Sequence, residues 1–140
     1  MRLLPRPTAT PPPDPRRGSA GAHRTARRTA GVLAGMGVLH FVRPESFDGL
    51  IPPALPGSAR AWTLGSGVAE LAVAGLLAAP RTRRVGARAA QALFVAVWPG
   101  NMWMAWRARH ASAPFRAMAF GRLPLQIPMI RSAGRIARAL

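Results

Sequence analysis

The sequence predicts an all-α fold, a four-helix transmembrane bundle preceded by a disordered N-terminal tail. Hydrophobic residues make up 49% of the 140 residues, yet the formal net charge is +16. The hydrophobic residues are concentrated in four segments, and most of the arginines lie between those segments. This distribution is typical of membrane helices joined by basic loops and is not expected of one soluble core.

Composition divides the chain into two regions. Residues 1–26 are rich in proline and arginine, and the run Pro-Pro-Pro-Asp-Pro at 11–15 favours extended conformations, so this tail is expected to be disordered. Residues 27–136 are expected to form the helical membrane domain. Arg16 and Arg17 suggest a twin-arginine export signal, but no small-residue cleavage site clearly follows, which favours a retained first helix.

Four apolar segments are expected to form the helices. They are 29–42, 61–79, about 89–106 and about 115–133. The first is short for a bilayer crossing, which takes about 20 residues. Pro99 and Gly100 should kink or loosen the third near one end, whereas Pro124 and Pro128 in the fourth are tolerated where neighbouring helices satisfy the freed backbone groups. The second and third lack the charged stripe of helices in a soluble bundle.

The distribution of arginine predicts an orientation in the membrane. All 20 basic residues are arginine, with seven in residues 1–28, four in 81–88 and three in 131–138. Because basic loops stay on the cytoplasmic side, we expect a multi-pass protein of the inner (cell) membrane with both termini cytoplasmic. The arginines flank apolar segments and are not interleaved with aromatic residues, so membrane lipids are the expected partner and nucleic acid is not.

Six polar side chains fall in the outer half of the expected bundle. They are His40, Ser66, Glu70, Asn101, Arg122 and Gln126. Glu70 lies roughly nine residues, or about 14 Å, from the outer end of its helix. Because a charged group inside a membrane costs several kcal/mol unless it is paired or solvated, these side chains are expected to face each other. Glu70 and Arg122 are the expected ion pair.

Two interpretations of this polar cluster remain open. The side chains either join the helices through hydrogen bonds or form a ligand-binding or proton-handling site. A metal site is not expected, because His40 and Glu70 on separate helices make a poor ligand set. The chain has no cysteine, which excludes thiol chemistry of its own. His23 and His110 are expected to be ordinary loop residues.

Five stretches carry a resemblance to a known family. They are HFVRPESFDGLIPPALP (40–56), SGVAE (66–70), RTRR (81–84), WPGNMWMA (98–105) and RLPLQIP (122–128). Over about 28–133 they resemble the DoxX family of small bacterial membrane proteins. Gly100 departs from the pattern, because it stands where the family has alanine between proline and asparagine.

The resemblance implies a four-helix membrane bundle and a role in redox chemistry. The protein is expected to be a non-autonomous membrane subunit of a quinone-linked system, with a quinone as the possible cofactor and a membrane-bound or soluble oxidoreductase as the possible partner. A non-catalytic assembly or anchoring protein is the alternative expectation, followed by a transporter of small solutes.

Overall fold

The computed structural model describes residues 15–140, and over this range the chain is all-helical with short connections. The helices are α1 (Pro15–Val42), α2 (Glu45–Asp48), α3 (Ala59–Ala78), α4 (Arg83–Ala96), α5 (Trp98–Ala108) and α6 (Ala113–Ala139). Helices α1, α3, α4 and α6 share one core, and α5 packs along α6.

The beginning of α1 corrects the expected extent of the tail. Residues 15–26 are helical, although they were expected to be disordered, and α1 runs without a break through position 27. Pro15 stands at the first helical position, where its missing N–H would have no partner inside the helix. Residues 1–14, the rest of the expected tail, lie outside the described residues.

Helices α1 and α3 approach each other closely at two glycines. A Cβ atom on Gly67 would lie 2.8 Å from the Cβ of His40 and 3.1 Å from the carbonyl oxygen of Gly37. A Cβ on Gly37 would in turn lie 2.8 Å from Leu71 Cγ. The absence of side chains at both positions therefore lets the two backbones meet, and this contact sets the distance between His40 on α1 and the facing turns of α3.

The shared core lies toward the half of the bundle that contains the N-terminal part of α1. It consists of small and branched side chains from four helices: Ala26, Ala30, Leu33, Val73, Ala74, Leu77, Ala87, Ala90, Phe94, Ala133, Ile136 and Ala137. Since Ala26, Leu77, Ala87 and Ala137 belong to one cluster, the beginning of α1, the end of α3, the beginning of α4 and the end of α6 lie at the same end of the molecule.

The turn between α3 and α4 is closed by a buried arginine. Arg83 is 4% exposed, and its Nε donates to the carbonyl of Leu77 at 2.7 Å while its Nη2 donates to the carbonyl of Ala78. Its Nη1 lies 2.8 Å from Nδ1 of His23 on α1. Arg83 thus satisfies carbonyls that the end of α3 leaves unpaired, and its positive charge suits the helix C-terminus. His23, expected in a loop, is a helical residue bound to this arginine.

The third expected helix is divided into two. Helix α4 ends at Ala96 and α5 begins at Trp98, so 89–106 is not one kinked helix. Pro99 supplies no backbone N–H and its ring disfavours a continuous helix through this point. Val97, between the two helices, keeps a helical backbone conformation, and Asn101 in the first turn of α5 is buried.

The expected bundle of four transmembrane helices is wrong. Among the described helices, α3 alone is long and apolar enough to cross a membrane, with 20 residues and a mean hydropathy of 1.4. Helices α4 and α5 have only 14 and 11 residues, because the break at Val97 separates them. Helices α1 and α6 are long enough, but arginine, glycine and proline lower their hydropathy.

Candidate functional site

A cavity of about 330 Å³ lies at the opposite end from the core, lined on one side by the chain that joins α1 to α3. Its polar lining consists of His40, Thr63, Ser66, Glu70, Asn101 and Arg122, and its apolar lining includes Met36, Phe47, Leu50, Ile51, Leu55, Trp62 and Val97. Volume and lining are those of a small-molecule pocket: a mostly apolar wall with a few convergent polar groups.

Five of the six side chains selected from the sequence line this cavity, and one does not. His40, Ser66, Glu70, Asn101 and Arg122 are lining residues. Gln126 is buried behind Asn101, whose amide Nδ2 donates to its Oε1 at 3.2 Å. The structure therefore brings the six residues together. As a ligand site, the cluster remains a prediction.

His40 and Glu70 form the central pair of the cavity. Nδ1 of His40 lies 2.8 Å from the carbonyl oxygen of Met36 and 3.2 Å from Oε2 of Glu70. Two acceptors beside one nitrogen place a proton on Nδ1. That proton is directed at Met36, because Oε2 of Glu70 is buried and accepts no hydrogen bond. The His40 ring is held in place by stacking on Phe47, with the ring centroids 3.8 Å apart.

The expected ion pair between Glu70 and Arg122 does not form. Within the described part of the chain, the basic group that comes within 4.0 Å of the Glu70 carboxylate is His40. The guanidinium of Arg122 instead lies beside the sulfur of Met104, with Nη1 and Sδ 4.0 Å apart. The close approach at Gly37 and Gly67 brings α1 nearer to Glu70 than α6, which explains the change of partner. Arg122 thereby remains on the cavity wall.

Asn101 and Gln126 support the break between α4 and α5. Nε2 of Gln126 donates to the carbonyl of Phe94, which lies in the last turn of α4. The last four carbonyls of a helix have no partner within it, so a buried one requires a donor from elsewhere. These two amides therefore have a structural role, which corresponds to the hydrogen-bonding interpretation left open by the sequence.

A short lid forms one side of the cavity, which is partly open. We define the lid as residues 45–56, which contain α2 and the loop after it. Arg60 donates to Oδ2 of Asp48 through Nε at 2.9 Å and lies 2.8 Å from it through Nη2. Arg107 of α5 donates to the carbonyl of Gly49 at 2.8 Å, and Trp62 donates to the carbonyl of Pro56 at 2.7 Å. The lid is thus attached to α3 and to α5.

Asp48 links the lid to the bundle by charge. The nearby Thr63 hydroxyl lowers the pKa of this carboxyl below its ordinary value of 3.8, and Arg60 lowers it further, while burial acts in the opposite direction. Oδ1 of Asp48 and the Thr63 hydroxyl are both buried and have no other hydrogen-bond partner. Because the pKa is lowered, the contribution of the ion pair is fully present well above the ordinary value of 3.8, including at neutral pH, and is lost progressively as pH falls from that value through the lower folded-state value.

Sequence reasoning missed two lining residues, Thr63 and Phe47, and helical spacing would have found the first of them. Thr63 lies one turn before Ser66 and Gly67, on the face of α3 that also carries Glu70. Phe47 has no such signal, because its position over His40 depends on the course of the lid. In the described residues no group of three or more His, Cys, Asp or Glu side chains is placed to hold a metal ion.

The family assignment rests on residues 29–137, which match a domain of unknown function, DUF8561. The chain belongs to the DUF8561 family. This corrects the resemblance to DoxX, to which no match is found. The stretches that suggested DoxX are short and rich in proline, glycine and arginine, residues that helical proteins commonly use at helix ends. Neither the curated proteins nor the solved structures contain a match to this DUF8561 chain.

The end opposite the lid is strongly basic. We call it the basic end and define it by exposed arginines of α1, of the α3–α4 connection, of α4 and of the C-terminal part of α6: Arg24, Arg27, Arg28, Arg81, Arg84, Arg88, Arg131, Arg135 and Arg138. The acidic residues that the structure describes are Glu45, Asp48 and Glu70, all in the lid or beside the cavity.

Proposed function

We propose that this DUF8561 protein is a membrane-embedded binding protein whose cavity takes an apolar molecule with a hydrogen-bonding carbonyl head group, as in a quinone. The supporting observation is the cavity, where the Arg122 guanidinium and the His40–Glu70 pair converge within a mostly apolar wall. A carbonyl oxygen would accept from Arg122, and the ring of the ligand would lie among Met36, Phe47 and Val97.

Exposed apolar side chains support the membrane location. Val32 of α1, Val68 of α3 and Leu125 of α6 are 61%, 58% and 59% exposed, and they belong to a larger set of exposed branched, sulfur-containing and aromatic residues. Extended apolar surface of this kind is rare on monomeric soluble proteins and is typical of membrane or partner contact. Helix α3, which carries Glu70, is long enough to cross the hydrocarbon layer.

In this proposal the protein is a subunit and depends on an oxidoreductase partner. Reduction of a quinone to a quinol takes up two electrons and two protons. The partner would supply the electrons, because the chain has neither cysteine nor tyrosine. The carboxyl group of Glu70, which lines the cavity, would pass one of the two protons to a ligand oxygen, and water would supply the second proton and reprotonate Glu70.

A binding measurement with two matched variants tests the cavity. Ubiquinone-1, a short-chain quinone, is titrated into the detergent-purified chain, and the quenching of tryptophan fluorescence is followed, since Trp62 lines the cavity. Ser66→Leu should lower the affinity more than tenfold because the larger side chain fills cavity space. Ala72→Leu places the same side chain on an exposed position of α3 and should leave the affinity unchanged.

Equal affinities in the two variants and the unaltered protein would refute the cavity as the binding site. A second candidate, an assembly or anchoring protein without a ligand, is favoured by the structural role of Asn101 and Gln126. Glu70→Gln separates the two proposals. It should weaken ubiquinone-1 binding if the cavity is a ligand site, whereas a purely structural role requires that only the unfolding temperature change.

A further inference from the structure

Charge is unevenly distributed along the molecule. Every acidic residue described by the structure lies in the lid or beside the cavity, so the basic end has none among its described residues. Its arginines come from elements that the shared core holds together at one end. Those arginines repel each other, since exposed charges act over about 8–10 Å at physiological ionic strength. An anionic partner would relieve this repulsion.

Apolar side chains lie next to these arginines on the same helix faces. Val32 follows Arg28 by four residues on α1, and Ile127 precedes Arg131 by four residues on α6. Residues four apart are neighbours on a helix surface, and all four of these side chains are exposed. In both pairs the arginine lies nearer the basic end and the apolar residue nearer the middle of the bundle. On α4, Val85 directly follows Arg84 in sequence and is 60% exposed.

We infer that the basic end binds the head groups of anionic phospholipids, of which phosphatidylglycerol is the simplest. The phosphate of such a lipid would lie at the arginine and its acyl chain along the apolar residue, which is the order of these residues on α1 and α6. A nucleic acid would favour aromatic side chains for base stacking, and the described residues of the basic end include no tryptophan or phenylalanine. The inference uses the membrane location proposed above but does not depend on the cavity.

The test compares two double variants with the same net charge. Arg84→Gln with Arg135→Gln alters the basic end, whereas Arg43→Gln with Arg116→Gln removes two exposed arginines outside it. Binding of dioctanoyl phosphatidylglycerol to the full chain in neutral detergent is measured by thermophoresis. Each arginine near an anionic lipid surface strengthens binding about fivefold, so the first variant should bind about 25-fold more weakly. The control variant should bind like the unaltered protein.

Four results would overturn the inference. The first is an equal loss of affinity for dioctanoyl phosphatidylglycerol in both double variants. The second and third are an affinity for dioctanoyl phosphatidylcholine, or for free glycerol phosphate, equal to that for dioctanoyl phosphatidylglycerol. The fourth is binding of a single-stranded RNA that is tighter than lipid binding and that the first double variant abolishes. Equal loss would indicate a response to net charge alone. Glycerol phosphate would indicate a soluble phosphate as the ligand, and RNA would indicate a nucleic-acid site. Ubiquinone-1 binding, measured in the same variants, should be unchanged and so separates failure here from failure of the cavity proposal.

Discussion

Asn101 and Gln126 carry the internal hydrogen bonds that join α5 and α6 to the end of α4. Gln126 accepts from Asn101 and donates to the carbonyl of Phe94, and both amide side chains are buried. A buried polar group that loses its partner is destabilised by its full desolvation cost, about 1–3 kcal/mol. The two amides therefore act as a unit, and removal of either one leaves the other incompletely paired.

This dependence predicts non-additive effects on stability. Gln126→Met keeps the size of the side chain but removes both contacts, so the free energy of unfolding should fall by about 1–3 kcal/mol. Asn101→Leu should lower the free energy of unfolding by a similar amount. The double variant should lose less free energy of unfolding than the two single variants lose together, because the second substitution removes a group that the first has already left unpaired. Chemical unfolding in detergent measures all three, and strictly additive losses would show that the two amides do not interact.

At the residue scale, sequence spacing located the site but not its pairing. Ser66 and Glu70 lie one helical turn apart, and this alone placed them on one face of α3. The pairing of Glu70 with His40, and not with Arg122, depends on how closely α1 approaches α3. That distance is set by packing between elements far apart in sequence, so residue types and spacing could not predict it.

Helices α1 and α3 are held together where glycine replaces a side chain. At Gly67 a Cβ would come within 3.1 Å of the backbone oxygen of Gly37 and within 2.9 Å of Phe41. Gly65, two residues earlier on the same helix, has open space at its Cβ position. The two glycines therefore differ in tertiary surroundings while sharing the same helical backbone.

Gly67→Ala and Gly65→Ala should shift stability in opposite directions. Alanine at position 67 should destabilise the fold by about 1–3 kcal/mol, because α1 must move away from α3. Alanine at position 65 should stabilise it by about 0.5–1 kcal/mol through its higher helix propensity. Thermal unfolding of the two purified variants in one detergent measures both. A stabilising effect at position 67 would contradict the close approach.

The boundaries of helices could be predicted where capping or turn residues mark them in the sequence. Helix α3 was expected at 61–79 and is found at Ala59–Ala78, because Ser58 caps its beginning by accepting from the N–H of Ala61. The break at Val97 was expected as a kink or a loosening of one helix, since a proline near a helix end is compatible with a kink and with a break. The lid was not expected, because its position depends on contacts with Arg60 and Arg107.

The whole molecule combines a lidded cavity at one end with a basic surface at the other. Composition correctly indicated helices but gave the wrong number of membrane-crossing segments, because small and polar residues dilute the hydropathy of α1 and α6 while apolar residues remain on their outer faces. The family could not be predicted from short motifs either, because such motifs reflect the residues used at helix ends more than common ancestry. Whether the outer faces contact lipid or water depends on which apolar side chains are exposed, and the sequence does not show their exposure.

A pair of charged substitutions on α3 tests that environment for the whole molecule. Val68 lies near the middle of α3 and is 58% exposed, and Ala61 is exposed near its beginning. If the outer face of α3 contacts hydrocarbon, Val68→Asp should cost about 2.5–3.5 kcal/mol and reduce the amount of protein in the carbonate-washed membrane fraction. Ala61→Asp should have little effect, because it lies at the membrane surface.

In water both substitutions would leave an exposed aspartate on a helix, and each would lower the stability only slightly. Equal tolerance of the two, with the protein recovered in the supernatant, would contradict the membrane location.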